Sequence, residues 1–120
     1  MRIVDRLLAA LLILGAVGHT FGSIKYFSGQ PITLLWALCA SALAALLGTV
    51  NLLRASRPKD RALAWVAAVG TAFWLAASLA FGKLIGNLLD PRVVLFVIIS
   101  AALIAFSLRT ALRRMTFQEG

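Results

Sequence analysis

Charge is scarce in this 120-residue chain and acidic charge scarcest, with four Asp and Glu against twelve Lys and Arg and only 13% of residues charged. An ordinary soluble domain is about half apolar and a quarter charged, whereas 62% of these residues are hydrophobic and the mean hydropathy is +0.96. So small a soluble domain would keep roughly a third of its unfolded surface exposed, with too few polar side chains to cover it. The composition therefore argues against a soluble monomer. One cysteine, Cys39, excludes an internal disulfide framework. One histidine, His19, and four scattered acids exclude a multi-ligand metal site within one chain, so no metal, cofactor or catalytic residue is assigned. Without paired carboxylates, a ligand cluster or a nucleophile triad, a membrane enzyme ranks below the other functional classes.

What is present is apolar sequence in long runs. Leu7 to Ile24, Tyr26 to Leu53, Ala62 to Gly82 and Val93 to Leu108 contain no Asp, Glu, Lys or Arg. A helix needs about 20 mostly apolar residues to cross ~30 Å of hydrocarbon. The second run is punctuated by Ser28-Gly29-Gln30-Pro31, a turn whose Pro suits the first position of a new helix. Asp90-Pro91 supplies an N-cap and a first-turn Pro in the same way. Trimming at these signals predicts spans over 7–27, 32–53, 62–82 and 92–112 of a single transmembrane domain. The join from Lys83 to Asp90 either prolongs the third helix or lies along the interface. Short connections make neighbours antiparallel, so the expected fold is all-α, an integral membrane four-helix up-and-down bundle.

Basic residues set the expected orientation. Arg2, Arg6, Arg54, Arg57, Lys59, Arg61, Arg109, Arg113 and Arg114 gather on one side, nine in all, leaving Lys25, Lys83 and Arg92 on the other. That asymmetry places both termini in the cytoplasm of a cell whose inner membrane the chain crosses several times. A competing reading makes residues 1–23 a cleaved signal peptide. The apolar run outlasts an ordinary signal core, however, and the uncleaved helix preserves the charge pattern. The net charge of +8 is thus a record of topology, and nucleic acid is not an expected partner. The basic end at Arg109, Arg113 and Arg114 should meet anionic lipid.

His19 is the sole ionisable residue well inside a predicted span. Polar groups at such depth are costly in lipid, so its ring should face protein or a wet cavity. The ordinary role is a neutral imidazole tied to a neighbouring helix; the sharper ones are a ligand hydrogen bond, a proton relay or an axial haem ligand. With 1.5 Å of rise per residue, His19 and Ser41 fall ~10–14 Å below the same membrane face. Trp74, Ser78 and Ser100 reach comparable levels on helices three and four, so these five residues form a candidate ligand-binding locus. Cys39 lies near this level too, but a Cys39–His19 dyad would lack an orienting carboxylate and is set aside. Gly15, Gly18 and Gly22 recur at i, i+3 and i+7 and form a candidate packing face for a helix of this chain or of a second copy. Trp36, Trp65 and Tyr26, near span ends, suit anchorage at the headgroup boundary.

Gly18-His19-Thr20-Phe21-Gly22, followed by Lys25-Tyr26-Phe27, resembles a group of uncharacterised small bacterial membrane proteins with four helices and a Gly-His-Thr-x-Gly signature in helix one. The resemblance implies a bacterial four-helix membrane fold and carries no activity. Size and span number also look like the small multidrug resistance transporters, but those depend on a glutamate within helix one. Here the only acid is Asp5 at its entrance, which speaks against proton-coupled export. Two functional classes remain. The first is an accessory subunit or a binder of an apolar ligand, a lipid or quinone, in a cavity near His19. The second is a small oligomeric transporter or channel with His19 as the titrating group. The expected partners are the lipid bilayer and either further copies of the chain or a larger membrane complex.

Overall fold

The computed structural model describes residues 2–113, so Arg114 of the basic end lies outside the described residues. Four helices account for nearly all of them: α1 (Arg2–Phe27), α2 (Pro31–Ser56), α3 (Arg61–Leu84) and α4 (Pro91–Ala111). All four are long and apolar enough to cross a membrane. Leu- and Ala-rich sequence of high helix propensity carries each one, and capping chemistry sets the ends. Pro31 and Pro91 occupy first-turn positions, where the missing N–H costs nothing. The side chains of Asp60 and Asp90 accept hydrogen bonds from the Leu63 and Arg92 backbone N–H groups, both at 2.9 Å. The Asp90 carboxyl is held below its ordinary range chiefly by its side-chain hydrogen bonds from Arg92.

The 83–90 join resolves into two pieces. Helix α3 runs on to Leu84 and stops at Gly86, which takes φ +72°. The Gly86 N–H donates to the Lys83 carbonyl and the Asn87 N–H to the Gly82 carbonyl, the paired bonds of a glycine-terminated helix. A short turn then leads to Asp90.

Helix α1 packs most extensively on α2, and α3 on α4, while α1–α4 and α2–α3 contacts complete the ring. The α1–α2 seam is built on small residues. A Cβ placed on Gly48 would stand 2.5 Å from Ile13 Cγ1 and 3.0 Å from the Ala9 carbonyl oxygen, so the two backbones meet here as only glycine allows. Gly15 accommodates the Phe96 ring, which approaches to 2.8 Å of the equivalent point. Gly18 and Gly22 differ, for nothing in the described chain comes within 4 Å of a Cβ built on either.

The solvation pattern differs from that of a soluble bundle, with an apolar exterior and polar groups within a mainly apolar core. Asp5, Asn51, Arg54, Thr71, Ser100 and Ser107 are buried, whereas Phe21 and Phe73 are about 70% exposed and the outer faces are lined with Leu, Ile and Val. Ala9, Leu12, Ala16, Ala44, Leu47, Trp74, Ile99 and Leu103 form the apolar part of the core. Hydroxyl groups are largely absorbed by their own helices: Thr20, Ser41, Thr49, Ser56, Ser78 and Thr110 each donate to the carbonyl four residues back.

Candidate functional site

Two polar centres lie between the helices, toward opposite ends. The first contains His19. Its Nδ1 is 2.6 Å from Ser41 Oγ on α2 and 3.5 Å from Ser23 Oγ one turn along α1. The Ser23 hydroxyl donates to the His19 carbonyl at 2.7 Å and the Ser41 hydroxyl to the Ala37 carbonyl at 3.2 Å. Two tautomers satisfy this pair: Ser41 Oγ donates to a bare Nδ1, or a protonated Nδ1 donates to Ser41 Oγ while the serine proton stays on the Ala37 carbonyl. The other ring nitrogen, Nε2, is a donor in the first tautomer and an acceptor in the second. It has no hydrogen-bond partner among the described residues, and it is not sealed inside the core, for the ring is half-buried. His19 therefore presents one fixed nitrogen to the bundle and one open nitrogen outward. The open flank beside it is that of Gly18 and Gly22.

Of the five residues placed at this level, His19 and Ser41 touch. Trp74 belongs to the apolar cluster with Ala16 and Ala44, each one turn from that pair, and meets Phe96 edge-on at 5.5 Å between ring centroids. Ser78 donates to the Trp74 carbonyl at 2.9 Å, so its hydroxyl is spent within α3. Ser100 is fully buried, and its Oγ shares with Trp74 Nε1 the condition of a sealed polar atom without a hydrogen-bond partner among the described residues. Cys39 is exposed.

The second centre has no counterpart among the sites expected from the sequence. Arg54, 1% exposed, donates from Nη1 and Nη2 to the two carboxylate oxygens of Asp5 at 2.7 and 2.6 Å. Its Nη2 and Nε also reach Asn51 Oδ1, at 3.1 and 3.4 Å. Asn51 Nδ2 donates to Thr71 Oγ1 at 3.0 Å and to the Leu47 carbonyl at 2.9 Å, while Ser107 Oγ donates to Asn51 Oδ1 at 3.2 Å. Both donors and the acceptor of the amide are thus used. Asp5 belongs to α1, Asn51 and Arg54 to α2, Thr71 to α3 and Ser107 to α4, so one network ties all four helices. Such a satisfied network in low dielectric rigidifies and specifies one packing. Its groups are saturated by one another, which suits a structural tie better than chemistry.

Beyond this network, at the end that gathers the start of α1 and the ends of α2 and α4, lies a cavity of about 200 Å³ bounded by Arg2, Asp5, Arg54, Arg109 and Arg113. His19 is not among its lining residues. Comparison with known proteins adds nothing to this geometry, since no family model, curated protein or solved structure matches the chain.

Proposed function

We propose that this chain is a multi-pass membrane protein of a bacterial inner membrane, an up-and-down four-helix bundle with both termini cytoplasmic, and that it binds an apolar ligand of the lipid or quinone class beside His19. The membrane reading is supported by the apolar exterior and by the polar network kept between the helices, since apolar faces gain nothing from water but lose nothing in acyl chains. The antiparallel course is supported by contacts between opposite helix ends, Asp5 with Arg54 and Arg61 Nε with the Ala111 carbonyl. Exposed Tyr26, Trp36 and Trp65 near helix ends suit the headgroup boundary.

The observation that carries the ligand reading is the open Nε2 of a half-buried imidazole whose other nitrogen is locked to Ser41. Left against acyl chains, an unpartnered ring nitrogen costs several kcal/mol. A ligand on this flank removes that cost, and a hydroxyl, as in a lipid or a quinol, suits Nε2 in either tautomer because it can both donate and accept. Binding of this kind suits an accessory subunit that holds its ligand for a larger membrane complex. The test is native mass spectrometry and solvent extraction of the detergent-purified protein. The wild type should carry a stoichiometric lipid or quinol, and His19→Leu should fold with little change in thermal midpoint and lose it. Retention of the same ligand by His19→Leu, or a ligand-free wild type, would refute the reading.

The open Gly18–Gly22 flank favours a second reading, an oligomeric transporter or channel in which a neighbouring copy covers this face and His19 titrates. Gly18→Leu would then abolish the oligomer in detergent while leaving the isolated bundle intact.

A further inference from the structure

The cavity at the Arg54 end of the bundle has a chemistry of its own. Four guanidinium groups, from Arg2, Arg54, Arg109 and Arg113, and one carboxylate, from Asp5, border it. The carboxylate is consumed by Arg54, with both of its oxygens in the bidentate pair. The Arg2, Arg109 and Arg113 side chains make no ion pair or hydrogen bond among the described residues, so within those residues the cavity carries three uncompensated positive charges. Arg109 lies in the last turn of α4, Arg113 just beyond that helix, and Arg2 opens α1; all three are exposed, and they rim one opening from two sides. Part of their role is to offset the negative end of α4, but that role needs no cavity. The volume, about 200 Å³, far exceeds the roughly 10–15 Å³ one water requires by the same measure. The remaining wall includes Phe106, Ala55 and Pro58, an apolar side next to the charged one.

We propose that this pocket binds the phosphodiester headgroup of an anionic phospholipid from the adjacent leaflet. Guanidinium groups match phosphate oxygens by paired N–H donors, and the apolar wall suits the glycerol and first acyl carbons that a free anion lacks. The buried Asp5–Arg54 pair forms the floor and fixes where the pocket ends. Basic pockets between membrane helices on the cytoplasmic side have this lipid selectivity on general electrostatic grounds. The proposal rests on the membrane reading, which is tested separately by whether the chain stays with the membrane pellet through alkaline extraction. It does not depend on His19.

The full chain in mild zwitterionic detergent is titrated with dioctanoyl phosphatidylglycerol, dioctanoyl phosphatidylcholine and inorganic phosphate, reading the thermal midpoint and the bound mass. Phosphatidylglycerol should bind one-to-one and raise the midpoint, and the other two should do neither at equal concentration. The double variant Arg109→Gln/Arg113→Gln, changed only at exposed positions, should weaken phosphatidylglycerol binding about 30-fold, from ~1 kcal/mol for each basic residue. Lys25→Gln, at the other end of α1, should bind as the wild type does. Equal binding of phosphatidylcholine, or undiminished phosphatidylglycerol binding by the double variant, would overturn the proposal. Inorganic phosphate binding as tightly as phosphatidylglycerol would replace the lipid assignment with a free-anion site.

Discussion

Replacing Asp5 by Asn removes one charge and almost no volume, and the surroundings of Arg54 determine the cost. Arg54 is 1% exposed and has no other carboxylate within reach among the described residues; after the change it keeps its bonds to Asn51 Oδ1 but stands as an unpaired cation between helices. Breaking a buried pair by removing one partner costs about 3–5 kcal/mol, because desolvation of the survivor is no longer offset. Against the roughly 5–15 kcal/mol by which folded proteins ordinarily exceed their unfolded states, that is a large share. The Asp90–Arg92 pair supplies an internal control. Its Arg side chain is 66% exposed, so Asp90→Asn, which also preserves an N-cap side chain, should cost far less than Asp5→Asn. The assay is equilibrium unfolding of the detergent-solubilised protein on a denaturing-detergent titration, followed by the fluorescence of buried Trp74.

The double variant separates the charge from the packing. A buried ion pair replaced as a whole by apolar groups is often neutral or stabilising, so Asp5→Leu/Arg54→Met should recover most of what either single change loses. Comparable costs for Asp5→Asn and Asp90→Asn, or additive losses in the double variant, would show that the Asp5–Arg54 site is wetter than its geometry implies and would refute the reasoning.

Other expectations rest on single contacts. Asn51→Leu should destabilise by about 1–3 kcal/mol for each buried group it strands, Thr71 and Ser107 among them, in the same unfolding assay. Gly48→Ala forces a methyl against the Ala9 carbonyl and Ile13 and should cost about 1–3 kcal/mol; Gly18→Ala, into open space, should instead gain up to about 1 kcal/mol of helix propensity unless a partner covers that flank. Gly86→Ala should lose about 1–2 kcal/mol at φ +72°, with no change in helix content by circular dichroism. In a Cys39→Ser background, Ser56→Cys in intact cells should react only with a membrane-permeant reagent and Gly29→Cys with an impermeant one; the reverse pattern would invert the topology.

The helices and their turns were legible because bilayer-length apolar runs, Pro31 and the Asp90-Pro91 cap are local signals that tertiary context had no reason to override. The His19–Ser41 pairing was legible as depth, since both residues fall at one level of an antiparallel hairpin. Ser78 and Ser100 share that level but not that contact, for depth along an axis leaves rotation about it undetermined. The glycines show the same limit: Gly15, Gly18 and Gly22 share one stripe, yet only Gly15 meets a neighbouring helix within the described chain, and the tightest backbone approach falls at Gly48 on α2.

Arg54 was not legible as a buried group because a basic residue just past an apolar run is ordinarily a solvated, orienting charge. Two signals pointed inward. Asp5, Ala9, Leu12 and Ala16 share one face of α1, and the stripe Ser41, Ala44, Gly48, Asn51 on α2 continues after one more turn to Arg54. The turn at 28–30 supplies the rest: a tight antiparallel hairpin centred there sets each residue of α1 opposite the one about as far beyond the turn. That register brings His19 to Ser41, Ala9 and Ile13 to Gly48, and Asp5, the only acid in α1, to Arg54. An acid and an arginine that meet at one level, each on the small-residue face of its own helix, have no cheaper partner than each other. The charge that reads as topology along the sequence is, in the folded chain, the bond that closes the hairpin.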